Sequence, residues 1–141
     1  MHNNHMTNST GNELRVLVID DDPAMTELLR LLLQPAVSTV VTANSGQEGI
    51  RLVGEVKPQI IILDLMMPEM DGYEVCQQIR VFSNIPILVL SALDMPGAVS
   101  KALDAGADDY LIKPVTSSIL VAHLNNLMRR INPQNQLSTA A

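Results

Sequence analysis

Five short apolar runs alternate with segments of helical character along this chain, and few folds accommodate such an alternation. Most of the runs are continuously apolar, which is typical of parallel strands covered by helices on both faces. Short connections between the elements favour right-handed crossovers. The pattern predicts an α/β fold, a three-layer sandwich around one sheet. The predicted strands are Val16–Ile19, Val37–Val41, Ile60–Leu63, Ile85–Leu90 and Tyr110–Ile112.

Capping residues mark where the helices begin. Asp22 precedes Pro23, a pattern of an N-cap followed by proline in the first turn. Ser45 and Asp71 are each followed three residues later by a glutamate, as in a capping box. The predicted helices run from Pro23 to about Leu33, from Ser45 to about Glu55, from Asp71 to about Arg80, from Pro96 to about Gly106 and from Thr116 to about Ile131.

The composition narrows the class of protein. The 141 residues are 47% hydrophobic and 17% charged, as expected of one globular domain. A net charge of −6 and the near absence of aromatic residues predict that the domain itself binds no nucleic acid. The single cysteine, Cys76, excludes an internal disulfide. No apolar stretch approaches the roughly 20 residues of a membrane span, so a soluble, cytoplasmic protein is expected.

The ends of the chain differ from the rest in composition. Residues 1–12 are polar and lack the basic and apolar regions of a secretory signal, so we predict a flexible N-terminal tail. Residues 13–131 contain the predicted strands and helices and form the expected domain. Residues 132–141 are polar and are interpreted as the start of a linker or a free C-terminal tail.

Polar and charged side chains follow four of the five predicted strands. Asp20 and Asp21 come after the first strand and Asp64 after the third. Ser91 comes after the fourth strand and Lys113 after the fifth. Because the carboxyl ends of parallel strands meet at one edge of the sheet, these side chains are expected to converge. Taken singly, the others could be ordinary turn, strand-end or surface residues, but Asp64 ends an apolar run, where an unpaired buried carboxylate is costly.

The expected cluster has a definite chemistry. Neighbouring carboxylates repel one another, and oxygen ligands with room for water suit Mg²⁺. With the metal and Lys113 supplying positive charge, Asp64 could attack a phosphorus atom. Ser91 and the backbone N–H of Ala92 could donate hydrogen bonds to the phosphoryl oxygens. The sequence thus predicts phosphoryl transfer to an aspartate.

Four segments carry a family resemblance. VLVIDDDP, IILDLMMPEMDGYEV, PILVLSA and GADDYLIKP resemble, in order and spacing, the signature segments of response regulator receiver domains. The resemblance extends over about residues 14–131. It implies a flavodoxin-like (βα)5 fold with strand order 2-1-3-4-5. It also implies a partner sensor histidine kinase, whose phosphohistidine donates the phosphoryl group.

The resemblance also implies roles for individual residues. Asp64 corresponds to the phospho-accepting aspartate and Asp21 to a direct Mg²⁺ ligand. Asp20 corresponds to an acidic residue that acts partly through water, and the backbone carbonyl of Met66 to a further metal ligand. Lys113 corresponds to the lysine that binds the phosphoryl group.

Two further residues correspond to the family's switch. Ser91 occupies the position of the switch hydroxyl, and Tyr110 that of an aromatic residue that moves inward with it. Met66 and Leu93, each two residues past a site residue, are apolar and cannot orient an attacking water. A long-lived aspartyl phosphate is therefore expected, although the small Ala92 leaves the phosphoryl group accessible.

The segment KALDAGADDYLIKPVTSSILVAHLNNLMRR resembles the corresponding part of regulators with a C-terminal winged-helix DNA-binding domain. In that class, helix 4, strand 5 and helix 5 form a homodimer on phosphorylation. Val99 and Ile119 stand where the family commonly has a Lys–Glu pair, and His123 and Asn125 replace cationic residues, so fewer ion pairs are expected. The charged residues assigned to this dimer face are Asp104, Asp108, Asp109, His123, Arg129 and Arg130.

The predicted function is a phosphorylation-dependent switch rather than a turnover enzyme. Its output is expected to be transcription through a DNA-binding domain outside this chain; a stand-alone receiver acting through protein contacts is the alternative. A Mg²⁺-dependent phosphatase with an aspartyl nucleophile would carry a second acid where this chain has Met66. A flavodoxin-like cofactor binder would need a phosphate-binding loop where Asp20 and Asp21 stand.

Overall fold

The computed structural model describes residues 14–131, so both predicted tails lie outside the described residues. Five strands alternate with five helices. The strands are β1 (Arg15–Ile19), β2 (Thr39–Ala43), β3 (Ile60–Leu63), β4 (Ile87–Ser91) and β5 (Asp109–Ile112). The helices are α1 (Pro23–Leu33), α2 (Gly46–Val56), α3 (Gly72–Phe82), α4 (Pro96–Ala105) and α5 (Ser117–Ile131).

The strands form one parallel sheet in the order β2-β1-β3-β4-β5. The predicted fold class and strand order are therefore confirmed. The order reverses at β1, which lies between β2 and β3. The carboxyl ends of β1 and β3 are adjacent, since Ile19 pairs with Leu63. This adjacency brings the residues after both strands to one place on the sheet edge.

The two faces of the sheet are both covered. Ile60 and Ile62 of β3 pack with α1 and α5, whereas Ile61 and Leu63 pack with α2, α3 and α4. All residues of β3 and β4 are buried. Burial on both faces explains why these strands are continuously apolar rather than alternating.

The predicted N-caps of the first three helices are confirmed. The Asp22 side chain accepts a hydrogen bond from Ala24 N at 3.0 Å, and Asp71 accepts one from Glu74 N at 2.9 Å. Ser45 accepts from Glu48 N at 3.1 Å. These bonds satisfy amide groups that have no partner inside the helix. They also set where each strand-to-helix connection ends.

Three strand boundaries predicted from the sequence were wrong by two residues. They are the start and the end of β2, which ends at Ala43 rather than Val41, and the start of β4. The β2 ladder begins at Thr39, which pairs with Arg15, and Val37 is instead a buried residue of the preceding loop. The β4 strand begins at Ile87 rather than Ile85. Pro86 has no N–H to donate to a strand ladder. The Ile87 N–H donates a hydrogen bond to the Asp108 carboxylate at 2.8 Å.

The helices of residues 14–131 are all too short or too polar to cross a bilayer.

Candidate functional site

Three carboxylates meet at the carboxyl edge of the sheet. Asp20 and Asp21 follow β1, and Asp64 follows β3. One carboxylate oxygen of each lies within 4.8 Å of the others. Asp20 and Asp64 are 3% and 7% exposed, and Asp21 is the least buried of the three. The structure thus brings together the three acids predicted to converge.

Lys113 joins this cluster from the end of β5. Its Nζ lies 2.9 Å from Asp20 Oδ2 and 3.8 Å from Asp64 Oδ1. The second oxygen of Asp20 accepts a hydrogen bond from Asp22 N at 3.0 Å. One ammonium group facing three carboxylates leaves an excess of negative charge. The cluster is therefore suited to a further cation.

The pKa of Asp64 is raised above its usual value. Burial is the largest cause and the charge of Asp20 the next; Lys113 and backbone hydrogen bonds from Met66 and Leu65 lower the pKa without cancelling the rise. The ionised carboxylate is thus less stable here than in water. A cation bound beside Asp64 would stabilise its ionised form. Perturbed pKa values of this kind are common at functional sites.

Ser91 and Tyr110 meet at the connection between β4 and α4. Ser91 is fully buried, and its Oγ accepts a hydrogen bond from Leu93 N at 3.2 Å. The Tyr110 hydroxyl donates to the Leu93 carbonyl at 2.7 Å. Burial raises the pKa of Tyr110, while a hydrogen bond with Ser91 lowers it by a smaller amount. Both residues therefore act on the segment that leads into α4.

Comparison with known proteins identifies this arrangement. The model of the response regulator receiver domain family matches residues 16–125. The chain belongs to this family. "Response regulator MprA" of Mycobacterium leprae is 42% identical over 129 residues, which are 91% of this chain and 57% of that protein. "Probable transcriptional regulator ycf27" of Guillardia theta is 40% identical over 118 residues, or 84% of this chain and 46% of that protein.

A solved structure shares the fold of this receiver domain. It is a two-component response regulator from Clostridium difficile with a TM-score of 0.80 and 29% identity, covering 85% of this chain and 99% of the other. The receiver domain spans about half the length of the two relatives above.

The residues assigned to a dimer face have several contacts inside this receiver domain. The Asp109 carboxylate lies 2.7 Å from His123 Nδ1. Asp108 pairs with Arg80 at 2.9 Å. Asp104, Arg129 and Arg130 are exposed. Membership of a dimer face stays a prediction for all six. The elements of the predicted dimer face, α4, β5 and α5, also carry exposed apolar side chains. These are Leu103, Ile112 and Ile119.

Three contacts were not anticipated from the sequence. Arg80 of α3 binds Asp108 and the Gly106 carbonyl, and Lys101 of α4 lies over the ring of Tyr73 on α3. The partners are more than twenty residues apart, and nothing in the local pattern links them. Only the packing of α3 beside α4 brings them together.

Proposed function

We propose that this receiver domain accepts a phosphoryl group on Asp64 from the phosphohistidine of a sensor histidine kinase and then alters the surface formed by α4, β5 and α5. The observation that carries the proposal is the meeting of Asp20, Asp21 and Asp64 beside Lys113 at the sheet edge. A buried aspartate with a raised pKa can act as a nucleophile when a neighbouring lysine and a bound cation stabilise its ionised form.

The donor set fits Mg²⁺. The carboxylates of Asp21 and Asp64 and the backbone carbonyl of Met66 would hold the ion, and Asp20 would act partly through water. Mg²⁺ is usually held by one or two carboxylates and keeps several waters, which agrees with this set of oxygen donors. When bound, the ion supplies positive charge that neutralises the oxygens of a transferring phosphoryl group.

Each residue of the site would have a different role in the phosphoryl transfer. An Asp64 oxygen forms the bond to phosphorus while the phosphorus–nitrogen bond to the kinase histidine breaks, and the nitrogen keeps that electron pair. Lys113, now 2.9 Å from Asp20, would turn its ammonium toward the phosphoryl oxygens. The Ser91 hydroxyl and the Ala92 N–H would donate hydrogen bonds to the same oxygens. These donors neutralise charge rather than react.

Ser91 and Tyr110 would carry the change outward. Ser91 Oγ accepts from Leu93 N in this structure and can still donate its own O–H to a phosphoryl oxygen. That donation would favour the arrangement in which Ser91 and Tyr110 are both bonded to Leu93. Tyr110 already holds the Leu93 carbonyl. A movement of this segment would pass to α4 and to β5, which carries Tyr110. A receiver altered once per phosphorylation acts as a switch and not as a turnover enzyme.

The proposed output is control of transcription. The name of the Guillardia relative, "Probable transcriptional regulator", supports it, and the effector would be a DNA-binding domain outside this chain. Phosphorylation would favour a homodimer through the α4, β5 and α5 surface. The alternative is a stand-alone receiver that acts through contacts with another protein. The receiver itself is proposed to bind neither nucleic acid nor membrane.

Incubation with acetyl phosphate and Mg²⁺ should add one phosphoryl group to the chain, detected by intact mass. The gain should disappear in Asp64→Asn, which lacks the nucleophile, and in excess chelator. Glu27→Gln, which removes an exposed acid on α1 outside the cluster, is the matched control and should behave as wild type. A mass gain that survives in Asp64→Asn would refute the proposal. A shift from monomer to dimer on sizing would favour the transcriptional output over the stand-alone alternative.

The aspartyl phosphate should persist for minutes or longer after removal of the donor. Met66 is 54% exposed and apolar, and Leu93 is half-buried, so neither can position a water for attack on phosphorus. Met66→Gln supplies an amide that can hold such a water and should shorten the lifetime by roughly tenfold. Intact mass against time measures both. Loss from the wild type within seconds would contradict the prediction.

A further inference from the structure

Helix α4 is attached to the domain mainly through small side chains. Its N-cap residue, Met95, makes no side-chain capping hydrogen bond, unlike the N-caps of α1, α2 and α3. Its buried residues are Ala98, Ala102 and Ala105, which bury much less apolar surface than leucine or isoleucine would. Gly97 in the first turn lowers helix propensity further. Contacts at the edges of α4 therefore matter for its position.

The C-terminal end of α4 is fastened to α3 by Arg80. The Arg80 Nε donates to the Gly106 carbonyl at 3.0 Å, and Nη2 pairs with Asp108 at 2.9 Å. Arg80 packs so closely on Gly106 that a Cβ at this position would lie 2.7 Å from Arg80 Cγ. The φ of Gly106, +118°, also favours glycine. Two hydrogen bonds from one arginine and the close packing of its stem on Gly106 leave little freedom at this corner.

The other attachment to α3 lies nearer the middle of α4. The Lys101 Nζ is 4.2 Å from the centre of the Tyr73 ring. Cation–π attraction at this distance is favourable, and Lys101 is exposed while Tyr73 is half-buried. Because the ammonium already faces water, the contact can break without stranding a buried charge. It is therefore a weak attachment that can open and close.

The same contact lies close to the switch tyrosine. Tyr73, Leu93 and Tyr110 all pack on the face of the sheet covered by α2, α3 and α4. The Tyr110 hydroxyl bonds the Leu93 carbonyl at 2.7 Å, and Leu93 lies just before α4. The position of the start of α4 and the position of Tyr110 are thus linked.

We propose that the contact between Lys101 and Tyr73 regulates the switch. It holds the middle of α4 against α3, while Arg80 fixes the C-terminal end, and so it keeps the Leu93 carbonyl where Tyr110 binds it. Its signalling consequence rests on the proposed function, in which phosphorylation of Asp64 favours the arrangement with Tyr110 bonded to the Leu93 carbonyl. Whatever stabilises that arrangement then favours phosphorylation, since coupling between two equilibria is reciprocal.

Hydrogen exchange of the unphosphorylated chain tests the contact directly. Lys101→Met should accelerate exchange of the α4 amides before residue 103 by about fivefold, equivalent to about 1 kcal/mol in the free energy of opening. Lys101→Arg and Tyr73→Phe keep the cation and the ring and should exchange as wild type. Tyr73→Leu should resemble Lys101→Met. The double variant should exchange no faster than either single variant, because both remove one interaction.

Unchanged α4 exchange in Lys101→Met would overturn the proposal, and so would additive effects in the double variant or acceleration spread evenly over all helices. The equilibrium ratio of phosphorylated to unphosphorylated chain, measured at a set ratio of acetyl phosphate to acetate, should fall about threefold to fivefold in Lys101→Met and stay unchanged in Lys101→Arg. Faster α4 exchange with an unaltered ratio would refute the regulatory role. If the wild type takes no phosphoryl group, the proposed function fails, while the exchange result still decides whether the contact holds α4.

Discussion

Replacing Lys113 by methionine should produce the largest loss of stability of any single change at the site. Its ammonium is the cation 2.9 Å from the buried Asp20 and 3.8 Å from Asp64. Without it, two buried carboxylates face each other unpaired, which should lower the free energy of unfolding by roughly 3 kcal/mol in chelator at neutral pH. Mg²⁺ should restore part of this loss, because it supplies the missing positive charge. Urea titration with and without the metal measures both effects.

The same variant should react poorly with acetyl phosphate. Loss of one preorganised charged donor should slow phosphorylation on the order of 100-fold. Lys57→Met is the matched control, because Lys57 is exposed and outside the cluster. It should change stability by less than about 0.5 kcal/mol and leave the rate unaltered. A Lys113→Met protein as stable as the control in chelator would show that the ammonium does not offset the carboxylates.

Asp64→Asn should make the metal-free domain more stable while abolishing its response to Mg²⁺. The folded-state pKa of Asp64 is raised, mainly by burial. Such a group favours the folded state below its unfolded pKa, and that contribution is lost as the pH rises through the folded pKa. Wherever Asp64 is ionised, the wild type has lost this contribution. Asparagine cannot ionise, so a gain of ~1 kcal/mol, or roughly 4 °C in Tm, is expected in chelator.

Thermal unfolding at several pH values checks the sign of this effect. The advantage of Asp64→Asn should shrink as the pH falls toward 3.8, the usual pKa of an aspartate, because Asp64 is then protonated. Millimolar Mg²⁺ should raise the Tm of the wild type, since a ligand bound only by the folded state stabilises it, and should leave the variant unchanged. Glu27→Gln should resemble the wild type throughout. A variant less stable than the wild type in chelator would contradict the burial argument.

Much of the fold follows from local patterns that need no partner. Ile60–Leu63 was predicted residue for residue, because a four-residue apolar run bounded by polar residues is short enough to be read as a strand. Asp22, Ser45 and Asp71 cap helices within their own few residues, so their signals are equally local. The convergence of Asp20, Asp64 and Lys113 follows from strand ends and parallel topology alone.

Other features depend on which elements become neighbours. Val37 is as apolar as a strand residue, yet β2 starts at Thr39, because the register with β1 decides which residues enter the ladder. Asp108 was assigned to a dimer face, and the structure shows its carboxylate binding Arg80 and the Ile87 N–H. No local signal reveals such a bond across more than twenty residues.

The sequence alone established the fold class, the carboxyl ends of β1, β3 and β5 and the identity of the acidic residues, since these rest on apolar periodicity, capping and chain order. Tertiary structure decided the electrostatic state of the site and the attachments of α4. Burial sets the pKa of Asp64, and the packing of α3 against α4 places Lys101 over Tyr73. Both depend on solvent exclusion and on distances between residues far apart in the chain, which a linear pattern does not encode.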